Sequence, residues 1–382
     1  MKKSMAAAAV LGAFAGSAFA ADVQLYGLID TGVRYLHSDM ENLGTTNKFS
    51  MESGQQSGSR FGFKGTEDLG NGLSVGFILE NQFNSDDGSL KDGLLFRRET
   101  SLFLQGGFGK LALGRMGSIN GGTSSWGKHG VLSAFGTSWG GYVAQADTVF
   151  GNSGLWNNMI AYETPSFGGF KAFAQYGMGN QVNRSGKLVG VENESSSDRY
   201  YAVGASYANG PVNLFLSVDS INYASYNPAD KTTSKQDDSL TVRFGGNYDF
   251  EVAKVFAGAA YFDEVKLSSF SGAVNDYVVG QGRDPSNFKF KGWSLGVSSA
   301  IPTAGGKLLV GAAYMDAETA DSYKGSDVDL TRWIVSAGYD YPLSKRTNVY
   351  GVVTYNRDHI ESGSAKFEPT VYGAMLGLRH AF

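Results

Sequence analysis

Cysteine is absent from the 382-residue chain. That excludes disulfide bridges and paired-cysteine metal sites, so stability must come from burial or from closed hydrogen bonding. Proline is scarce, with seven residues, unlike a disordered chain rich in proline, glycine and serine. Beyond the first twenty residues no apolar run reaches the length of a membrane-spanning helix, so no such helix is expected. Histidines number four. His37, His129 and His359 fall in or beside different loops and His380 in the last strand, and neither a Gly-x-Ser-x-Gly elbow nor a His-Glu-x-x-His pair is present. A hydrolase needs a nucleophile, a base and an orienting acid within reach of one another, and the sequence shows no such set. No basic cluster suits a nucleic acid, no cofactor or metal is expected, and the net charge of −4 is too mild to imply a charged partner.

What is abundant is glycine, tyrosine and phenylalanine: 53, 20 and 25 residues. Glycine stands at about twice its ordinary share of ~7%. The opening stretch "MKKSMAAAAVLGAFAGSAFA" has two lysines, a short apolar run and the triplet Ala18-Phe19-Ala20, and reads as a secretory signal over residues 1–20. Past it, segments of about ten residues alternate with a period of two. In "LSVGFILEN", Leu73, Val75, Phe77 and Leu79 oppose Ser74, Gly76 and Glu80. Sixteen such segments run from "VQLYGLIDTGVRYL" to the closing "YGAMLGLRHAF".

The connections between them alternate in kind. Short, turn-rich links such as "TEDLGNG", "GGFG" and "IPTAGG" exchange with long polar ones at 38–58, 83–95, 116–156, 179–197, 221–238, 264–287, 317–328 and 358–368. An antiparallel meander whose two ends meet different environments has this form. The prediction is an all-β, 16-stranded antiparallel transmembrane barrel over residues 21–382, with short turns on one side and long loops on the other. In a closed barrel the last strand pairs with the first and no edge is left exposed. An exported soluble β-sandwich would share the alternation but accounts poorly for the even count and the two loop lengths.

The segments "SRFGFKGTEDLGNGLSVGFILE" (59–80), "FRRETSLFLQGGFGKLALGR" (96–115), "AYETPSFGGFKAFAQY" (161–176), "YPLSKRTNVYGVVTYN" (341–356) and "GLRHAF" (377–382) resemble those of the trimeric general porins of Gram-negative, specifically beta-proteobacterial, outer membranes. The resemblance implies a homotrimer of water-filled pores for ions and small hydrophilic solutes. It also implies a third loop folded inward, a multi-pass location in the outer membrane beside lipopolysaccharide, and a C-terminal signal read by the outer-membrane assembly machinery. Phe382, with Leu378, Leu376 and Tyr372 before it, matches that signal.

A passive filter is set by pore width and wall charge. Strand parity turns Arg60 and Lys64 inward, places Arg34 on the face of Asp30, and points Glu80 and Arg97 inward, Arg97 being opposite in parity to Leu102 and Leu104, with Arg98 at the rim. Each arginine could equally serve as an ion-pair partner for Glu80, Asp30 or Glu99. Loop 116–156 is the expected constriction. Its ionisable residues are Lys128, His129 and Asp147, and Trp126, Trp139, Tyr142 and Phe150 make it aromatic, more in keeping with packing against the wall than with a slide for sugars. It lacks the acidic patch found in part of the family, and Leu155 and Ala161 stand where relatives commonly carry arginine, so the resemblance leaves the ion preference open. A substrate-selective channel of the same fold, and an outer-membrane enzyme, are the alternatives.

Overall fold

The computed structural model describes residues 23–179, 190–227, 231–233, 236–323, 325 and 327–382; the signal read over 1–20 lies outside them. Sixteen antiparallel strands close into one barrel. They are β1 Gln24–Asp39, β2 Arg60–Gly70, β3 Leu73–Glu80, β4 Glu99–Gly106, β5 Gly109–Gly117, β6 Leu155–Glu163, β7 Phe170–Gly177 and β8 Arg199–Asn209. The second half is β9 Val212–Asn222, β10 Leu240–Asp249, β11 Lys254–Lys266, β12 Lys289–Thr303, β13 Gly306–Thr319, β14 Asp329–Pro342, β15 Thr347–Ser362 and β16 Thr370–Ala381.

Each strand pairs with its neighbours in sequence, and β16 closes on β1 from Leu28↔Ala381 to Asp39↔Thr370. Phe382 extends the seam, its N–H donating to the Gly27 carbonyl at 3.0 Å. Only glycine fits at position 27, because a Cβ there would lie 2.5 Å from the Phe382 ring. Closure pairs the first strand with the last, so the sheet has no open edge between them to face lipid, which is what lets strands rather than helices cross the bilayer. The short turns use residues that accept positive φ, as in Asn71-Gly72 with φ of 54° and 74°.

The outward face is apolar. Leu102, Leu104, Val297, Val335, Val353, Leu376 and Leu378 all point away from the lumen and are exposed, as a lipid-facing surface requires. Aromatic rings mark one boundary of this band, with Trp293, Tyr314 and Trp333 in a row at centroid spacings of 5.4 and 4.6 Å and Tyr355 opposite Tyr372.

Several long connections carry regular structure where the sequence suggests plain loops, among them a short helix, Ala146–Phe150, in the third. Residues Thr45–Ser53 form a further strand against the outer half of β1, from Thr31↔Ser53 to Asp39↔Thr45. The reason is geometric: β2 begins only at Arg60 and pairs with Gln24 to Leu28, so the hairpin covers an edge that would otherwise be bare. The connection at 264–287 carries a helix, Ala273–Gly280.

Candidate pore constriction

The third loop enters the barrel. Leaving β5, it crosses the lumen and is tied to the wall strand by strand. Ile119 N–H donates to Gln175 on β7 at 2.8 Å, and Asn120 donates to Asp219 on β9 at 2.7 Å. Asn247 and Arg243 on β10 donate to the carbonyls of Val131 (2.9 Å) and Phe150 (2.8 Å). Ser298 on β12 accepts from Ala134 N–H at 2.9 Å, Ser336 on β14 from Ala144 N–H at 3.0 Å, and Thr354 on β15 donates to the Tyr142 carbonyl at 2.6 Å. Inward-facing serine, threonine and asparagine on the wall thus satisfy backbone that would otherwise be buried unpaired.

The loop's aromatic residues pack against the wall, as its composition suggests. Trp126 lies among Met116, Ile119 and Trp156. Trp139 meets Tyr350 edge-on at 5.2 Å and Phe135 at 5.8 Å, and Leu132, Val149 and Phe150 cover Phe215 and Ala260. The small residue Ala161 is wholly buried beside Ala112 beneath this packing; an arginine has no space there.

Two of the ionisable side chains named for the loop, His129 and Asp147, are turned to each other. His129 is fully buried and shares a 2.5 Å contact with Asp147, whose other oxygen accepts from Asn152. Lys128 reaches back to Glu163 at 3.7 Å and lies over the Phe173 ring. What the loop offers the lumen is the turn Ala134 to Trp139, with Thr137 and Ser138.

That turn forms one side of a cavity of about 550 Å³. Arg60, Lys254, Lys307 and Arg379 line the other side together with Gln56, Asp340 and Asn348. Asp340, the one carboxylate of this lining, accepts from Asn348 at 2.6 Å and from Gln56 at 3.1 Å. Among the described residues, Lys254, Lys307 and Arg379 have no ion-pair partner, and the Arg379 Nε has no hydrogen-bond partner. Lys64, Lys110 and Lys171 continue the inward-facing basic register at the short-turn end of β2, β5 and β7; Lys171 is paired with Glu163. Lys110, Lys171, Lys254, Lys307 and Arg379 were all readable from strand parity, because each keeps step with an inward-facing residue such as Phe173, Phe256 or Leu309.

Other wall charges are structural rather than free. Asp30 faces inward but is 0% exposed, accepting from Gln56 N–H at 2.9 Å, Ser57 N–H at 2.6 Å and Tyr350 at 2.5 Å. It pins the return of the first loop and lines nothing. Arg34 pairs with Glu52 at 2.5 Å. Glu80 is nearly buried, holding Arg98 on one oxygen, with Arg60 at 3.5 Å and the Tyr26 hydroxyl at 3.1 Å on the other. The assignment of Arg98 to the rim is therefore wrong. It precedes β4, where strand parity does not apply, and it turns into the wall to neutralise Glu80. Arg97 pairs instead with Asp92 in the second loop.

A closed barrel with an inward third loop and a basic lumen is the arrangement expected of a porin, and comparison with known proteins decides the family. The family model described as Gram-negative porin matches residues 6–360. The chain belongs to the Gram-negative porins. The porin is 35% identical over the full length of both chains to an outer membrane porin protein of Bordetella pertussis, and 29% identical, again at full length, to outer membrane porin protein 32 of Delftia acidovorans. Among solved structures it superposes on the anion-selective porin from Comamonas acidovorans with a TM-score of 0.69 at 25% identity, covering 95% of this chain and all of that one. The porin is an outer-membrane diffusion channel, a water-filled path for ions and small hydrophilic solutes, and its relatives are channels rather than enzymes.

Proposed function

We propose that this channel prefers anions, and that the preference is set by the cavity beside the loop turn Ala134 to Trp139. The supporting observation is the imbalance of its lining: Lys254, Lys307 and Arg379, without an ion-pair partner among the described residues, and Arg60, shared with Glu80, against the single, already hydrogen-bonded Asp340. An anion displaced from bulk water into a narrow passage gains from each unpaired cation on the wall. The solved relative described as an anion-selective porin is consistent with this.

The channel works as a homotrimer embedded in the bilayer and in contact with lipopolysaccharide, after removal of residues 1–20. Phe382, Leu378, Leu376 and Tyr372, all exposed on the outward face of β16, form the segment presented to the assembly machinery. Deleting Phe382 removes its backbone pairing with Gly27. The expected result is loss of most of the heat-modifiable, folded protein from outer-membrane fractions, read by gel mobility with and without boiling.

The deciding experiment is conductance of the purified protein in a planar bilayer under a KCl gradient. Stepwise triplet openings with a reversal potential of the sign set by chloride are expected. A potential set by potassium would overturn the proposed preference, and single unitary steps would overturn the trimer.

A further inference from the structure

The long loops shape a second cavity, away from the third loop. On the long-loop side of the barrel the helix Ala273–Gly280 is laid against β15, where the N–H groups of Ala273 and Val274 donate to Asn356 (2.8 Å) and Asp358 (2.6 Å). Its other end rests on the first loop: Tyr277 donates to Asn42 at 3.3 Å, and a Cβ on Gly280 would lie 2.7 Å from Leu43. The return to β12 is pinned by Leu267 N–H, which donates to the Phe288 carbonyl at 2.9 Å. Beyond β15 the chain doubles back through Ser362↔Ala365 and Ile360↔Phe367, which sets the Phe367 ring 5.2 Å from that of Tyr277.

These parts meet around a space of about 360 Å³. Buried Leu267, Phe290 and Ile360 form its floor, and half-buried Val278, Phe288 and Phe367 its sides. Arg283 is the one charged residue of the lining. Just past the helix, its N–H donates to the Val278 carbonyl at 3.1 Å, and its guanidinium has no ion-pair partner among the described residues. The adjacent Asp284 accepts from Ser286 N–H at 2.8 Å and does not line the space. Exposed Asn42, Gln281 and Arg283 mark the side open to water. No residue is shared with the cavity beside Ala134 to Trp139.

We propose that this cavity binds an amphipathic monocarboxylate, a small acid whose aromatic body lies between the helix and β15 and whose carboxylate meets Arg283. A concave, mainly apolar space of a few hundred Å³ with a small number of polar groups is the usual construction of a small-molecule site. Apolar walls left open to water gain free energy on being covered, and the rings of Phe288 and Phe367 suit an aromatic body through edge or offset contact. An unpaired guanidinium then selects the acid and fixes its direction, because its planar fork matches a carboxylate. A hydrophilic anion leaves the walls uncovered, and a neutral aromatic molecule leaves Arg283 without a counter-charge. The site does not depend on the ion preference of the channel.

Calorimetric titration of the porin in lipid nanodiscs with 4-phenylbutyrate, with its neutral analogue 4-phenylbutyramide and with butyrate tests this, empty nanodiscs serving as the blank. Phenylbutyrate is expected to bind more tightly than either of the others. Arg283→Gln should weaken phenylbutyrate about fivefold, the effect of one unit charge about 4 Å away in water, and leave phenylbutyramide unchanged. Val278→Trp, which fills the space from the helix side, should abolish binding of both aromatic compounds in protein that keeps its heat-modifiable mobility. No binding of phenylbutyrate above the blank overturns the proposal, as does undiminished binding in Val278→Trp. Equal affinity for the amide in the unaltered protein, or an equal change for acid and amide in Arg283→Gln, overturns it too.

Discussion

Replacing Lys307 and Arg379 together by glutamate is expected to turn the channel from anion to cation preference. Both side chains line the lumen cavity and neither has a carboxylate partner among the described residues, so their field reaches the passing ion without being cancelled by a paired acid. A unit charge about 4 Å away in water is worth about 1 kcal/mol, and reversing it counts twice. The chloride-to-potassium permeability ratio should therefore move by about tenfold or more at low salt, and by progressively less as salt shortens the screening length. Reversal potentials at several KCl gradients measure it. Arg98 gives the contrast. Its guanidinium is spent on buried Glu80, so Arg98→Gln leaves that acid underpartnered, and the expected change is lost folded protein rather than altered selectivity.

Cutting the third loop from the wall should change size rather than charge selectivity. Phe135→Ala with Trp139→Ala removes the aromatic contact with Tyr350 and the packing on Leu309 and Val352. Each truncation of this kind costs about 3–5 kcal/mol where the side chain is buried. The strand ladders do not depend on these rings, so the barrel is expected to keep its heat-modifiable mobility while single-channel conductance rises and becomes noisy. Liposome swelling should then admit oligosaccharides that the native channel retards. Unchanged conductance in the folded variant would mean that the loop is not the narrowest point.

The strands were legible because a lipid-facing wall imposes its pattern residue by residue. Leu102 and Leu104 must face out, so Ser101 and Phe103 must face in, and no distant contact alters that. The same parity turns Lys254 and Lys307 inward, but the sequence singles out only Lys64, and the other two gain meaning only once the loop turn at Ala134 to Trp139 is seen opposite them. It failed where the backbone leaves the ladder. Arg97 and Arg98 precede β4, and their directions follow from Asp92 and Glu80. The burial of Asp30 depends on Gln56 and Ser57 returning over it, and the seat of the helix Ala273–Gly280 on Asp358, itself held by Arg332. Such contacts join residues far apart in the chain, and no local period announces them.

The seam between β1 and β16 sets a schedule for making the molecule. Residues 28–39 are among the first to emerge and their partners, 370–381, among the last, so the cylinder cannot be sealed until nearly the whole polypeptide has crossed the inner membrane. Loop-closure entropy makes such a long-range pairing slow. Through that interval the open ribbon presents an unsatisfied border and a lipid-seeking surface to water. The hairpin of Thr45–Ser53 covers the outer half of β1 on the edge that faces β2, a pairing of nearby residues that needs nothing from the far end. The opposite edge, reserved for β16, has no such cover, and that is where a stray neighbouring chain would pair before the true partner arrives.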